Sequence, residues 1–247
     1  METLIGDERL DYLLIDETMK IIQSPTVFSY SLDAVLLAQF AYMPINRGDI
    51  LDLCTGNGAI PLLLSKRTKG TITGLEIQPR LAHMASRSVA LNNMEDRIHI
   101  VEGDLKERHA AIKQSFYDVV TCNPPYFATP KDTEHNVNEH LTIARHEVLC
   151  TLEDVIKACK LYVKPGGKIS IVHRPERLTD LITLFRQYKM EPKRMQLVYP
   201  KMGKPANTLL IEGVRDGKPG LTILSPLYIY EEDETYTEEA RKIIYGK

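Results

Sequence analysis

The chain has 247 residues, of which 43% are hydrophobic and 26% charged, and a formal net charge of −2. That composition belongs to an ordinary folded protein with enough apolar surface for a full core, and it excludes a disordered or fibrous chain. The near-neutral balance carries no global sign of a nucleic-acid partner, so any such partner must be held by local charge.

The N-terminal stretch METLIGDERLDYLLIDETMK sets charges into every short apolar run, unlike a signal or transit sequence. No apolar run approaches the roughly 20 residues that cross a bilayer. The expectation is a cytoplasmic protein without a membrane partner. Residues 1–48 read as a cap ahead of the first strand, and Leu32–Phe40 within it as an amphipathic helix.

From Ile50 the chain alternates between strand and helix. Ile50–Cys54 is a short apolar strand, and Ala59–Arg67 a helix with Pro61 in its first turn, where a missing N–H does little harm. Thr71–Ile77 is a second strand, followed by a helix over Pro79–Asn92. Arg97–Val101 and Tyr117–Cys122 are the third and fourth strands. A helix over Leu152–Val163 stops at Pro165-Gly166-Gly167, and a fifth strand, Lys168–His173, precedes a helix over Glu176–Tyr188. Met195–Tyr199 and Thr208–Val214 are strands with no long helix between them, so they pair antiparallel. Repeated strand–helix units with short connections give an α/β fold with a mainly parallel, doubly wound sheet and an antiparallel terminal hairpin. The sheet domain spans residues 49–217. Residues 218–247 form an extension with an acidic run, EEDETYTEE, expected to lie away from the substrate.

Three strand ends carry ligand-type residues. Asp52-Leu53-Cys54-Thr55-Gly56-Asn57-Gly58 closes the first strand, where doubly wound sheets bind ligands. Gly56 and Gly58 let backbone approach a ligand closely, and Asp52, Thr55 and Asn57 supply polar groups beside them. The dinucleotide fingerprint wants a third glycine where this chain has Pro61, which argues against a nicotinamide cofactor. Glu76, followed by Ile77, ends the second strand roughly 20 residues beyond the glycine turn, the spacing at which a carboxylate accepts from ribose hydroxyls. Asp104, followed by Leu105, ends the third, placed to accept from an adenine amino group. Convergence of the three on one crevice points to a nucleoside-containing cofactor.

Asn123-Pro124-Pro125-Tyr126 follows the fourth strand. An aromatic or amide NH₂ has its lone pair in a π-system and is a poor nucleophile. Two acceptors, the Asn123 side-chain carbonyl and the Pro124 backbone carbonyl, draw it towards tetrahedral geometry and strengthen as charge builds on nitrogen. The two prolines stiffen the loop, and Tyr126 offers a face for a planar base. Cys122, just before the clamp, reads as a buried strand thiol. Cys54, Cys122, Cys150 and Cys159 show no Cys-x-x-Cys spacing, and no metal is expected.

LDLCTGNG, GLEI, GDL and VVTCNPPYF resemble the successive motifs of the class I S-adenosylmethionine-dependent amino methyltransferases. The segments FSYSLDAVLLAQF (Phe28–Phe40), ARHE (Ala144–Glu147) and PANTLLIEGVRDGK (Pro205–Lys218) resemble the bacterial tRNA(Val) adenine-N6 methyltransferase family. The resemblance implies a Rossmann-like fold with a seven-stranded sheet, S-adenosyl-L-methionine as cofactor and tRNA as partner. It further implies methylation of the adenine 3′ of the anticodon, with Phe28, Tyr30 and Asp33 closing over the cofactor. Lys193, Arg194, Lys201 and Lys204, on and near the hairpin tip, are the candidate phosphate contacts. The polar stretch Thr129–Leu141 is either a surface loop or a substrate-ordered lid. Other readings of the clamp are guanine-N2 methylation of rRNA, glutamine-N5 methylation of protein, and a catalytically silent RNA-binding module. Release-factor enzymes carry a larger helical region before the glycine turn, which disfavours the second.

Overall fold

The computed structural model describes residues 4–27, 29–126 and 149–246. Phe28, the Thr129–Leu141 stretch and the ARHE run lie outside the described residues. The chain opens with an antiparallel hairpin, β1 (Arg9–Leu13) and β2 (Asp16–Gln23), that the sequence reading did not anticipate. The hairpin packs on α3 (Pro79–Leu91), where Asn92 Oδ1 accepts from the N–H of Lys20 at 2.9 Å and Ser88 Oγ from that of Ile22 at 3.0 Å.

The main sheet begins with β3 (Asp49–Leu53), which lies between β4 (Thr71–Glu76) and β6 (Tyr117–Cys122), all parallel. β5 (Ile98–Glu102) pairs outside β4, and β7 (Val163–His173) outside β6, again parallel. Four of the five residues of β3 are buried, as a strand covered on both faces requires. Pro165-Gly166-Gly167, expected to lie between helix and strand, is inside β7, where the register against β6 jumps between Tyr117 and Val119. A bulge of this kind absorbs residues without ending the ladder. β8 (Met190–Tyr199) and β9 (Thr208–Arg215) form the antiparallel hairpin, with β9 against β7. The C-terminal extension adds two short strands parallel to β8, β10 (Thr222–Ile223) and β11 (Leu227–Tyr228). Among the described residues, the seven strands expected in the sheet thus become nine in the main sheet, with the β1–β2 hairpin as a separate pair.

Helices cover both faces. α2 (Ala59–Ser65) starts at Gly58, whose φ of 86° is left-handed. α4 (Leu152–Tyr162) starts at a capping box between Thr151 and Asp154, and α5 (Leu178–Gln187) follows a short 3₁₀ turn, Pro175–Arg177. α1 (Leu32–Phe40) is not the amphipathic helix expected. Ala34 to Ala38 and Phe40 are all buried, because α2, the sheet and the C-terminal helix α6 (Glu238–Tyr245) enclose it. Leu13, α1, α2, Leu227 and Ile244 share one hydrophobic cluster, so the N-terminal hairpin, sheet and C-terminal extension pack as a unit.

Candidate active site

A cavity of about 380 Å³ opens at the carboxyl ends of the parallel strands, within the size range of small-ligand sites. The sequence-named residues Tyr30, Asp33, Thr55, Gly56, Asn57, Glu76, Ile77, Asp104 and Leu105 line it, together with Asn123, Pro124, Pro125 and Tyr126. The fold therefore brings the glycine turn, two strand-end carboxylates and the clamp to one chamber.

The chain leaves β3 through Cys54, which holds a left-handed φ of 57°, and passes Gly56 at 59°. A non-glycine residue in that region stores strain that the surrounding structure must hold in place. Two residues beyond it the turn is tied down by Glu76, which is 5% exposed. One carboxylate oxygen accepts from the N–H of Gly56 at 2.9 Å and the other from the N–H of Gln78 at 2.9 Å. Burial raises the Glu76 pKa, opposed by these backbone hydrogen bonds. Ile77 N–H also donates to this carboxylate, which keeps acceptor capacity for a further donor such as a ribose hydroxyl. Asp104 accepts from the N–H of Lys106 at 2.9 Å and faces the same chamber. The residues fit an adenosine-type group.

Three assignments change. Asp52 does not line the cavity. It is fully buried, paired in register with Thr121 across β6, and accepts from the hydroxyls of Thr121 and Thr55 at 2.6 Å each. Burial pushes its pKa up to about 7 against those two hydrogen bonds. It braces the turn rather than touching a ligand. Gly58 likewise lies behind the wall, where a Cβ would come 3.1 Å from Ala85 Cβ. Asn57 lines the cavity, but its amide donates to the Ile22 carbonyl at 3.1 Å and ties the turn to the N-terminal hairpin.

At the clamp, the Tyr126 hydroxyl lies 2.5 Å from Asn123 Oδ1 and 3.0 Å from Asp33 Oδ2, two acceptors for one proton. Burial, then the Asp33 charge, raises the Tyr126 pKa well above the usual phenol value, so the hydroxyl stays a donor. Two residues that the sequence reading passed over support the clamp: Arg174 lines the chamber, and His173 packs against Tyr126. Arg174 sets its guanidinium 4.5 Å from the Tyr126 ring centre, pairs with Asp33 at 3.7 Å, and donates to the Asn207 carbonyl at 2.7 Å. His173, fully buried, packs 5.3 Å from the same ring. Burial, then Arg177 and Arg174, lower its pKa to about 4. Both sit at the end of β7, beside the strand that carries the clamp, and that position was the available signal.

A second cavity of about 1040 Å³ adjoins the first. Tyr126 and Arg174 line both chambers. Lys201 and Lys204, between β8 and β9, line the second one. Arg194 is different. It pairs with buried Glu212 at 2.9 Å, stacks 4.4 Å from the Phe40 ring centre and donates to the Phe40 carbonyl, so it holds α1 to the sheet. Lys193 donates to the Lys218 carbonyl at 3.1 Å and tethers the start of the extension. The acidic run, expected away from the site, reaches it: Glu234 lines the second cavity and pairs with Lys201. Among the described residues no group of three or more His, Cys, Asp or Glu is arranged to hold a metal, and no helix is long and apolar enough to cross a membrane.

The family profile described as "Methyltransferase small domain" matches residues 18–190. A Porphyromonas gingivalis protein named tRNA1(Val) (adenine(37)-N6)-methyltransferase is 31% identical over 165 residues; the match covers 66% of this chain and 64% of the relative's length. The fold is similar to that of a predicted O-methyltransferase from Agrobacterium tumefaciens, with a TM-score of 0.67 at 23% identity, covering 85% of this chain and 94% of that one. It is also similar to a geranyl diphosphate C-methyltransferase from Streptomyces coelicolor solved with S-adenosyl-L-homocysteine, with a TM-score of 0.53 at 9% identity, covering 74% and 80%.

Proposed function

The chain belongs to the methyltransferase small domain family, and from that premise we propose that it methylates an amino nitrogen of RNA: N6 of the adenine next to the anticodon of tRNA(Val). The observation that carries the chemistry is the clamp: Asn123 and Tyr126 line the same chamber as Gly56, Glu76 and Asp104. The choice of tRNA is supported by the relative's name and by the cations of the second cavity.

The cofactor is S-adenosyl-L-methionine, which supplies a methyl group already activated on a sulfonium. Glu76 is placed to take the ribose hydroxyls, Asp104 the adenine amino group, and the Gly56 backbone gives close approach. Tyr30 and Asp33 close the chamber from the N-terminal side. Binding of the target base replaces one hydrogen bond with another. An amino hydrogen takes Asn123 Oδ1 in place of the Tyr126 hydroxyl, which keeps Asp33 as its acceptor. With Pro124 accepting the second hydrogen, the nitrogen is drawn out of conjugation and held for attack. The base plane needs the Tyr126 ring face that Arg174 covers, so the guanidinium moves as the base arrives. A tRNA substrate also sets the reaction in the cytoplasm.

The test is transfer of label from the cofactor to purified tRNA by wild type and Asn123→Ala. Loss of the developing-charge acceptor is expected to lower turnover by about 10²–10³ while cofactor binding by calorimetry holds. Equal incorporation by the variant would sink the mechanism. Labelling of protein but not RNA would sink the substrate.

A further inference from the structure

The second cavity pairs an exposed acid with a more deeply set cation. Lys201 contacts the Glu234 carboxylate and lies 3.3 Å from the Glu232 carbonyl. The lysine side chain is 23% exposed and the glutamate 72%. Glu234 holds a left-handed φ of 67°, a conformation glutamate rarely adopts. The turn around it is locked: the N–H of Glu231 donates to Thr235 O at 2.8 Å, and Asp233 accepts from both the N–H and the hydroxyl of Thr235. Strain of this kind, held by the surrounding turn, aims the carboxylate at Lys201. Arg174, Arg177 and Lys204 line the same space, and Tyr230, stacked on Tyr236 with ring centres 5.0 Å apart, forms another part of its wall.

We infer that this cavity seats a phosphodiester of the nucleotide flanking the target base, and that the Glu234 carboxylate occupies its place on Lys201 in the free protein. The inference rests on the RNA reading of the clamp. The ammonium is fixed in the wall, whereas the carboxylate has water to return to, so an incoming phosphate displaces the acid and keeps the cation. Phosphate oxygens exchange for carboxylate oxygens on one donor, and the departing charge leaves four cations facing Glu176 alone, so a lining that was already net positive becomes more so. The flanking base meets Tyr230, whose far side is already braced by Tyr236. Tyr126 and Arg174 separate the two chambers, so a strand threading the second presents its neighbouring base to the first.

The experiment measures binding of a short adenosine-containing single-stranded RNA, labelled for fluorescence anisotropy, to protein loaded with S-adenosyl-L-homocysteine. Glu234→Gln is expected to tighten binding roughly threefold to fivefold, the range of one partly exposed ion pair. Lys201→Ala is expected to weaken binding, reduce the salt slope by about 0.7, and abolish the gain from Glu234→Gln. The same sequence with uncharged methylphosphonate linkages is expected to ignore Glu234→Gln. Thermal midpoints confirm that each variant is folded. An unchanged affinity in Glu234→Gln overturns the inference, as does a gain that survives in the Lys201→Ala background or on the uncharged strand. Methylation of the charged RNA is read in parallel. RNA that is methylated without regard to Lys201 and Glu234 leaves the functional reading standing and removes the cavity's role. RNA that binds with the coupling but is never methylated does the reverse.

Discussion

At the scale of single residues, the candidate site is a set of side chains that satisfy each other until a substrate arrives. Tyr126 and Asn123 are partners in the free protein, and Asp33 gives the tyrosine a second acceptor, so exposing the clamp leaves no donor unpaired. His173 answers to a different variable. Its folded pKa near 4 lies below the ordinary 6.5, so neutral histidine favours the fold, and that contribution is present above pH 6.5. It is lost as pH falls through 4, by roughly 3 kcal/mol at most. Urea unfolding at pH 7 and pH 4 is expected to show a stability drop in wild type that is smaller in His173→Gln; equal drops would refute the assignment. Which residues were legible follows from strand geometry. Glu76, Asp104 and the clamp stand where parallel strands end, and turn residues mark those ends. Asp52 stands one residue inside, on the side of the strand that faces Thr121 in the neighbouring ladder, and side-chain direction within a strand depends on that pairing. Arg174 became visible only once β7 was known to lie beside β6.

At the scale of elements, charge on the terminal hairpin divides by face. Arg194, on β8, serves the fold. Glu212 is 1% exposed, and burial would raise its pKa; hydrogen bonds from Arg194 and the Tyr42 N–H hold it below the usual value instead. Arg194→Ala would leave that carboxylate with the Tyr42 N–H at 2.9 Å, Ser170 Oγ at 3.1 Å and Lys168 at 3.5 Å, and is expected to cost about 2–4 kcal/mol of stability. RNA affinity of the folded variant should stay near wild type. A large affinity loss at unchanged melting temperature would return Arg194 to the binding surface. The parallel strands were readable because apolar runs alternate with helical periods. The β1–β2 hairpin was not: its connection is Leu14-Ile15, without the glycine or asparagine that marks a tight turn, and charges interrupt both strands. Strands of two residues, such as β10 and β11, have no period to detect.

At the scale of the molecule, the C-terminal extension closes the core that the N-terminal segment begins. Ile244 on α6 is fully buried in the cluster that contains α1, and α1 carries Asp33. Ile244→Ala is expected to cost about 2–4 kcal/mol, read as a lower melting temperature that saturating cofactor partly restores by binding only the folded state. A melting temperature equal to wild type would show that α6 is only laid on the surface. The enclosure of α1 by α6 also fixes an order of events during synthesis. The segment bearing Asp33 leaves the ribosome long before the helix that covers it, so its apolar surface waits for a partner from the far end of the chain. Contacts of such sequence separation form late. The parallel strands can therefore assemble first, but the wall that holds Tyr126 in place is finished only after residues 238–245 have emerged. A nascent chain short of them has its glycine turn and its clamp, yet lacks the helix that packs on α1, the element that carries Asp33.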